Sequence, residues 1–238
     1  MHALLLPKCG EARNDCEDAM AVACEPAGRG LRAAVADGAS SSGFSGPWAQ
    51  LLTQSFVSEP IRTQAALLER LPALSERWNA NVFSRPLPWH AIERARRGAF
   101  AALAGVEVES GEPMRWRGCA VGDSCIVHVR QGRIVSAVPL SDPRAFAADP
   151  ILISTDGERN EDVETGLRFA EGLLLPEDTL VLATDALAQY VLSLAETDAA
   201  DAAALLLALE QSEAAIDDGR ERGALRNDDV AAVLIRAT

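Results

Sequence analysis

The chain of 238 residues carries a net charge of −13, and 48 % of its residues are apolar. This length supports one large buried core, and the lack of any apolar run of about 18 residues argues against a membrane-spanning helix. Because the acidic chain also has no basic tract, it lacks the cationic surface that nucleic acids and anionic membranes require. We therefore expect neither nucleic acid nor a membrane as a partner.

The cysteine content indicates a reducing compartment. The five cysteines are odd in number and form no Cys-x-x-Cys motif, which argues against a disulfide framework and against a structural zinc site. The apolar residues 1–7 have no basic leader of the kind that a signal peptide carries, and we interpret them as a first strand. Together these features predict a cytoplasmic protein.

Short apolar segments rich in Val, Ile and Ala, each bounded by turn residues, predict strands. They cover residues 19–24, 31–36, 118–121, 125–129, 133–138, 179–184 and 230–236. Longer segments between them predict helices. These cover residues 47–58, 62–79, 90–104, 186–195 and 199–215. Strict alternation of strands and helices is absent, which favours antiparallel sheets packed with helices over a doubly wound parallel sheet.

The least regular part of the chain is the segment 139–178. It contains four prolines and the acidic stretch 156–164. We interpret it as a flap-like insertion within a single domain that spans residues 1–238, since irregular surface segments often carry function.

Aspartate recurs where predicted strands end. Asp37, Asp123 and Asp185 each follow an apolar strand, whereas Asp228 and Asp18 each precede an apolar segment. Strand ends at one edge of a sheet lie close together, and converging carboxylates repel one another unless cations neutralise them. Oxygen ligands without Cys or His favour Mg²⁺ or Mn²⁺. Any single Asp-Gly pair is more typical of a turn, so the prediction depends on all these positions together.

Five motifs containing these aspartates occur along the chain. They are Arg13-Asn14-Asp15-Cys16-Glu17-Asp18, Val35-Ala36-Asp37-Gly38, Val121-Gly122-Asp123-Ser124, Leu182-Ala183-Thr184-Asp185 and Asn227-Asp228-Asp229-Val230. In this order they resemble the successive motifs of the type-2C metal-dependent Ser/Thr protein phosphatases, over residues 13–235. The segments 88–90 and 98–100 resemble a divergent bacterial branch of that family.

The resemblance implies an α+β fold, a four-layer α-β-β-α sandwich of two antiparallel sheets flanked by helices. A metal pair would lie in a cleft at one end of the sheets. Asp37 would bridge two divalent cations, Mn²⁺ or Mg²⁺, and the carbonyl oxygen of Gly38 would complete the ligands of one of them. The resemblance also implies that Asp185 and Asp228 bind the second ion, with Asp18 at its periphery. Glu17 would act through a metal-bound water. Asp123, together with Asp185, would bind a weaker third ion.

Arg13 matches the arginine that binds phosphate in the family, a role suited to its bidentate guanidinium. A water activated by the two metals would then hydrolyse phosphoserine or phosphothreonine in proteins without a phosphoenzyme. The implied partners are a phosphorylated protein and a cognate Ser/Thr kinase. Without the motif, Arg13 would more readily be interpreted as a surface ion-pair partner of Asp15 or Glu17.

Three alanines depart from the family pattern. Ala39 stands where some members have histidine, Ala186 where glycine is usual, and Ala231 where a hydroxyl residue is usual. Ala186 and Ala231, with the altered region before Gly118, motivate an alternative function, a catalytically weak phosphoprotein-binding or regulatory protein on the same fold. A phosphatase for a small metabolite is a third hypothesis. With alanine at position 39, the proton for the leaving oxygen would have to come from water or from another residue such as His90, although a lone helix histidine is more often structural.

Two other patterns favour structural roles. Residues 28–33 resemble part of a dinucleotide-binding loop but precede a predicted strand, which indicates a hairpin turn. The four tryptophans are expected in the core or at helix contacts; they are Trp48, Trp78, Trp89 and Trp116.

Overall fold

The computed structural model describes residues 1–25, 29–147 and 149–237, so the predicted turn at Gly28 lies outside the described residues. The strands are β1 His2–Leu6, β2 Ala19–Cys24, β3 Gly30–Ala36, β4 Phe100–Ala101, β5 Leu103–Glu109, β6 Met114–Val121, β7 Cys125–Arg130, β8 Arg133–Val138, β9 Ile153–Ser154, β10 Arg168–Leu174, β11 Thr179–Ala183 and β12 Val230–Arg236. The helices are α1 Ser45–Ser58, α2 Gln64–Val82, α3 Trp89–Arg96, α4 Val163–Gly166, α5 Asp185–Thr197, α6 Ala199–Gln211 and α7 Ala214–Glu221. None of the helices in the described ranges is long and apolar enough to cross a membrane.

Most of the strands form two five-stranded antiparallel sheets. Sheet I has the order β1-β12-β11-β7-β8, and sheet II has the order β10-β6-β5-β3-β2. The short strands β4 and β9 pair with each other. Because successive side chains of a strand point to opposite faces, β12 presents Val230 and Leu234 to one apolar cluster and Val233 to another.

Three apolar clusters define four layers. The central cluster lies between the sheets and contains Val35 and Val106 of sheet II with Leu182 of sheet I. Helices α1 and α2 cover the outer face of sheet II, and α5, α6 and α7 cover the outer face of sheet I. The middle of each sheet is thus buried on two faces, which explains why strands such as β11 and β12 are almost entirely apolar. The predicted α-β-β-α sandwich is confirmed.

The tryptophans were predicted to pack, and one of them does not. Trp48 and Trp78 are fully buried under sheet II, and their indole N–H groups donate to the carbonyl oxygens of Ile153 and Phe44 at 2.9 and 3.0 Å. Trp116 is also buried. The prediction is wrong for Trp89, which is 78 % exposed at the start of α3.

The predicted helix 90–104 is wrong in its second half. Helix α3 ends at Arg96, and Gly98 then adopts a left-handed φ of +78°, which a continuing helix does not allow. Residues 100–109 instead form β4 and β5. The first six residues of β5 are all buried, and the first four of them contain no polar side chain, so the start of this strand shows no alternation of polar and apolar residues from which it could be predicted.

The segment 139–178 contains several short elements. Two single turns of 3-10 helix, 143–147 and 157–159, flank β9, and α4 precedes the edge strand β10. The side chain of Asn160 is buried and holds Ser154 through both its backbone N–H and its carbonyl oxygen. The segment is therefore tied to the rest of the fold at β9 and at β10.

Candidate metal centre

The aspartates singled out in the sequence gather at one end of the two sheets. Asp18 precedes β2 and Asp37 follows β3, its antiparallel neighbour, so both lie at the same edge of sheet II. Asp185 follows β11 and Asp228 precedes β12, which places them together at one edge of sheet I. Asp123 lies in the turn that leads from β6 of sheet II to β7 of sheet I.

Asp37 is surrounded by like charges. Burial raises the pKa of this carboxyl well above its usual range, and Asp18, Asp185, Asp123 and Asp228 raise it further by repulsion. Its own backbone is fixed, because its carbonyl oxygen accepts a hydrogen bond of 2.9 Å from the N–H of Ala102. The surroundings of Asp37 thus disfavour its ionised form, and a cation bound beside it would favour that form.

Asp18 contributes a buried oxygen without a partner. Its carboxylate is buried, and among the described residues Oδ2 has no hydrogen-bond partner. Burial raises its pKa well above the usual value, Thr184 opposes this through a hydrogen bond, and Asp229 and Asp185 add to the rise. A buried carboxylate oxygen that lacks a donor is costly, and a cation would offset that cost.

Asp123 and Asp228 belong to the same electrostatic cluster. Burial and the charge of Asp185 raise the pKa of Asp123 to about 6. The same two causes raise the pKa of Asp228. In both cases Arg226 acts in the opposite direction and lowers the pKa.

Arg226 lies among these carboxylates, and the sequence analysis did not identify it. One guanidinium nitrogen, Nη2, contacts Oδ2 of Asp185, and Nε lies 3.3 Å from Oδ2 of Asp228. The guanidinium therefore bridges two of the predicted ligands. No pattern in the sequence marks this role, because Arg226 stands in the irregular segment between α7 and β12.

Glu17 and Gly38 lie where two backbones meet. A Cβ atom built on Gly38 would stand 2.5 Å from the carbonyl oxygen of Glu17 and 2.9 Å from Cβ of Ser45, so only glycine fits there without displacing the chain. Oε1 of Glu17 accepts a hydrogen bond of 2.7 Å from the hydroxyl of Ser45, the first residue of α1. The start of α1 thus fixes the side chain of Glu17.

Asp229 connects the two ends of the motif series. Its two carboxylate oxygens accept hydrogen bonds of 2.8 Å from the backbone N–H groups of Lys8 and Glu17. Asp229 is itself buried. It therefore holds the segment that carries Glu17 and Asp18 against the start of β12, a positioning role that the sequence analysis did not assign.

Arg13 and His90 differ from the cluster in being exposed. Arg13 lies in a single 3-10 turn, 13–15, and among the described residues it pairs with neither Asp15 nor Glu17. His90 lies on the exposed side of α3 with its ring edge-on to Trp89. Arg13 is thus available to an incoming anion four residues from Glu17, whereas the only ring contact of His90 within the described structure is with Trp89.

Two of the three alanines that depart from the family pattern, Ala186 and Ala231, are packed in apolar clusters. Ala186 is buried between α5 and sheet I, and Ala231 is buried between the two sheets. The backbone N–H of Ala231 donates to the hydroxyl of Thr184 at 2.9 Å. A hydroxyl group therefore lies beside position 231, although a different residue supplies it.

The surface cavities are not all at the carboxylate cluster. One of about 250 Å³ borders Asp123 and is lined also by Leu140, Ile151 and Arg168. Two larger ones, of about 420 and 430 Å³, lie around Arg117 on the outer face of sheet II and contain none of the cluster aspartates. The two larger cavities therefore do not coincide with the carboxylate cluster.

The donor set fits divalent cations, although it is not closed around one. As the side chains stand, no three acidic, histidine or cysteine groups within the described ranges are close enough to hold an ion. The hard oxygen donors, the unpartnered Oδ2 of Asp18 and the repulsion at Asp37 are nevertheless what Mg²⁺ or Mn²⁺ would satisfy. Arg226 occupies part of that space.

Comparison with known families tests the resemblance predicted from the motifs. The family model described as protein phosphatase 2C matches residues 9–217. The chain belongs to the protein phosphatase 2C family. The predicted resemblance to type-2C phosphatases is therefore confirmed, and the match covers all the motif aspartates except Asp228 and Asp229.

Solved phosphatase structures share the fold of this family member. The serine/threonine phosphatase Stp1 from Staphylococcus aureus superposes with a TM-score of 0.58 at 16 % identity, covering 99 % of this chain and 94 % of that one. The S. agalactiae serine/threonine phosphatase gives 0.57 at 19 % identity, covering 100 % and 99 %. The photosystem II phosphatase PBCP gives 0.55 at 15 % identity, covering 99 % and 97 %. No curated protein matches the chain. At these identities the likeness establishes the fold alone.

Proposed function

We propose that this protein hydrolyses phosphoserine and phosphothreonine in proteins with the aid of two divalent cations, Mn²⁺ or Mg²⁺. The observation that carries the proposal is the carboxylate cluster itself. Asp18, Asp37, Asp123 and Asp185 converge at one end of the two sheets, where burial and mutual repulsion favour a bound cation. Membership of the protein phosphatase 2C family supports this reaction class.

In the proposed centre, Asp37 would serve both ions, and the carbonyl oxygen of Gly38 would be a ligand of one of them. Asp185 and Asp228 would hold the other. The remaining proposed metal positions are Asp18, Glu17 acting through water, and Asp123 for a third ion. The close approach of Gly38 to the backbone of Glu17 brings the Gly38 main chain beside the segment that carries Glu17 and Asp18.

When bound, the ions would supply Lewis acidity toward the phosphoryl oxygens and activate the attacking water. Arg13 would bind the phosphate with its guanidinium, which offsets charge on the phosphoryl group as the bond to the leaving oxygen breaks. The leaving serine or threonine oxygen takes a proton, and Ala39 cannot donate one. We assign that proton to solvent water, since His90 is exposed on α3.

The exposure of Arg13 suits a phosphorylated side chain that projects from a protein. A phosphorylated protein is therefore the proposed substrate, with a cognate Ser/Thr kinase as its source. The five cysteines, all within the described residues, are free thiols. This fits a reducing compartment, and cytoplasmic localisation stays a prediction.

Hydrolysis of para-nitrophenyl phosphate tests the proposal. We expect turnover with added Mn²⁺, none with chelator, and a loss of at least about a hundredfold in Asp37→Asn, since one positioned electrostatic group is often worth that much. Asp201→Asn, at an exposed aspartate of α6, should retain wild-type activity. Wild-type turnover in folded Asp37→Asn would overturn the metal assignment.

The alternative, a catalytically weak phosphoprotein-binding protein, predicts a different result. Folded wild-type protein would then bind a phosphopeptide without turnover in Mn²⁺ or Mg²⁺. Turnover of metabolite phosphates well above phosphopeptides would instead favour a small-molecule phosphatase.

A further inference from the structure

We propose that Arg226 occupies one cation position of the carboxylate cluster, and that a divalent ion enters this position only by displacing its guanidinium. The inference rests on the proposed metal centre and concerns a residue that the family motifs do not include. Its basis is the placement of one positive side chain between two predicted ligands.

The contacts of Arg226 are those expected of a counter-cation. Nη2 contacts Oδ2 of Asp185 while Nε lies 3.3 Å from Oδ2 of Asp228. Asp37 and Asp123 also interact electrostatically with the guanidinium. Arg226 thus contacts two carboxylates and interacts electrostatically with two more. All four are proposed to bind metal.

Geometry makes Arg226 and a metal ion mutually exclusive at this point. A cation held by Asp185 and Asp228 needs the carboxylate oxygens that now accept from the guanidinium. No three possible ligands within the described residues are close enough to hold an ion as they stand, and the bridge by Arg226 accounts for this at Asp185 and Asp228. Because an arginine side chain is long and flexible, and this one is nearly half exposed, it can swing out toward solvent.

Arg226 thus has opposite effects on the metal-free and the metal-bound protein. Without metal, Arg226 neutralises part of the charge that would otherwise destabilise the converging carboxylates. With metal, the ion must first overcome these ion pairs, so the apparent affinity for it is lower than the bare cluster would give. Arg226 therefore sets the concentration at which the position fills.

Metal titration of Arg226→Gln tests this without measuring activity. Glutamine retains hydrogen-bonding capacity and removes the charge. We expect Mn²⁺, followed by its paramagnetic resonance signal or by calorimetry, to bind about tenfold more tightly than in the wild type, which corresponds to about 1.4 kcal/mol, or with one additional ion. In chelator the same variant should melt at a lower temperature than the wild type.

Two further variants make the result interpretable. Arg222→Gln removes a nearby arginine whose side chain donates to the backbone carbonyl oxygen of Asp218, and this variant should bind Mn²⁺ like the wild type. Arg226→Lys retains the charge and should bind more weakly than Arg226→Gln. Should Arg226→Gln unfold in chelator, we would compare Arg226→Lys with the wild type and measure how far added Mn²⁺ raises the melting temperature of each. We expect the two rises in melting temperature to differ.

Mn²⁺ binding that is unchanged or weaker in Arg226→Gln would overturn this inference, because Arg226 would then be neutral toward the ion or would support its ligands. That outcome leaves the proposed function intact, provided that Asp37→Asn still weakens binding. Failure of the wild type to bind Mn²⁺ at all would instead overturn the proposed metal centre, and this inference with it.

Discussion

Arg13 illustrates how much depends on a single exposed side chain. It lies in the 3-10 turn 13–15, four residues before Glu17, whose backbone N–H is held by Asp229. The turn is thus anchored at its C-terminal side while the guanidinium remains free of ion pairs within the described structure. A residue that is fixed at its backbone and free at its tip is suited to meet a mobile anion.

We expect Arg13→Ala to raise KM for para-nitrophenyl phosphate by about tenfold or more, because a hydrogen bond to a charged group is worth about 1.5–3 kcal/mol. The change in kcat should be smaller, since the metal ligands remain. Steady-state kinetics would measure both, with Arg133→Ala on β8 as a surface control. An unchanged KM would make Arg13 a surface residue without a role in phosphate binding.

Among the secondary-structure elements, β5 contains a close contact that the sequence hides. A Cβ atom built on Gly105 would stand 2.7 Å from three ring atoms of Phe56, a buried residue of α1. The absence of a side chain at Gly105 is therefore what lets α1 pack directly on the middle of sheet II.

Gly105→Ala should destabilise the protein by about 1–3 kcal/mol, as overpacking of a core does. Urea unfolding would measure the change. Gly157→Ala, where an added Cβ meets no atom within 4 Å, should change the unfolding free energy by less than about 0.5 kcal/mol. Adding Phe56→Leu to Gly105→Ala should recover part of the loss, since neighbouring substitutions couple; additive losses would contradict the packing explanation.

What the sequence predicts well and badly follows from the same physics. Strands such as β2 and β12 were predicted with their observed bounds because turn residues delimit short apolar runs. The first two residues of β5 fell within the predicted helix 90–104 and the rest of the strand was assigned to no element, since the start of β5 is apolar and buried on both faces. The edge strand β10 was missed because exposed polar residues and Gly172 interrupt its apolar pattern.

Some residues of the candidate site could likewise be predicted from the sequence, and others could not. The aspartates could be proposed because they follow or precede apolar strands, a local and repeated signal. The positions of Arg226 and Asp229 in the cluster depend on how the segment before β12 folds back on residues distant in sequence, and no local pattern encodes this.

At the scale of the whole molecule, one buried ion-pair network links acidity to stability. Asp178 is buried and accepts hydrogen bonds from Arg130, His128 and the backbone N–H of Leu175. Burial alone would raise its pKa, but these hydrogen bonds together outweigh burial and lower it to about 2. The network connects β7 to the turn before β11 within sheet I.

Because this pKa is lower in the folded protein than in the unfolded chain, ionised Asp178 stabilises the fold above about pH 4, and this stabilisation is lost as the pH falls toward 2. Its size is about 2 kcal/mol. Asp178→Asn should therefore unfold with a shallower dependence on pH between 5 and 2, as followed by urea unfolding at each pH. The exposed Asp201→Asn should follow the wild type, and an identical slope in Asp178→Asn would refute the assignment.

The pairing of β1 with β12 has a consequence for how the protein comes into being. Glu17 is separated from its anchor Asp229 by 212 residues, and Lys8 from the same carboxylate by 221. On the ribosome, the first half of the ligand set emerges long before Asp228 is translated. Contacts of such sequence separation form late and slowly. If the proposed ligands bind metal, a growing chain lacks the complete set until β12 has joined sheet I, and the onset of metal binding would report that this strand is in place.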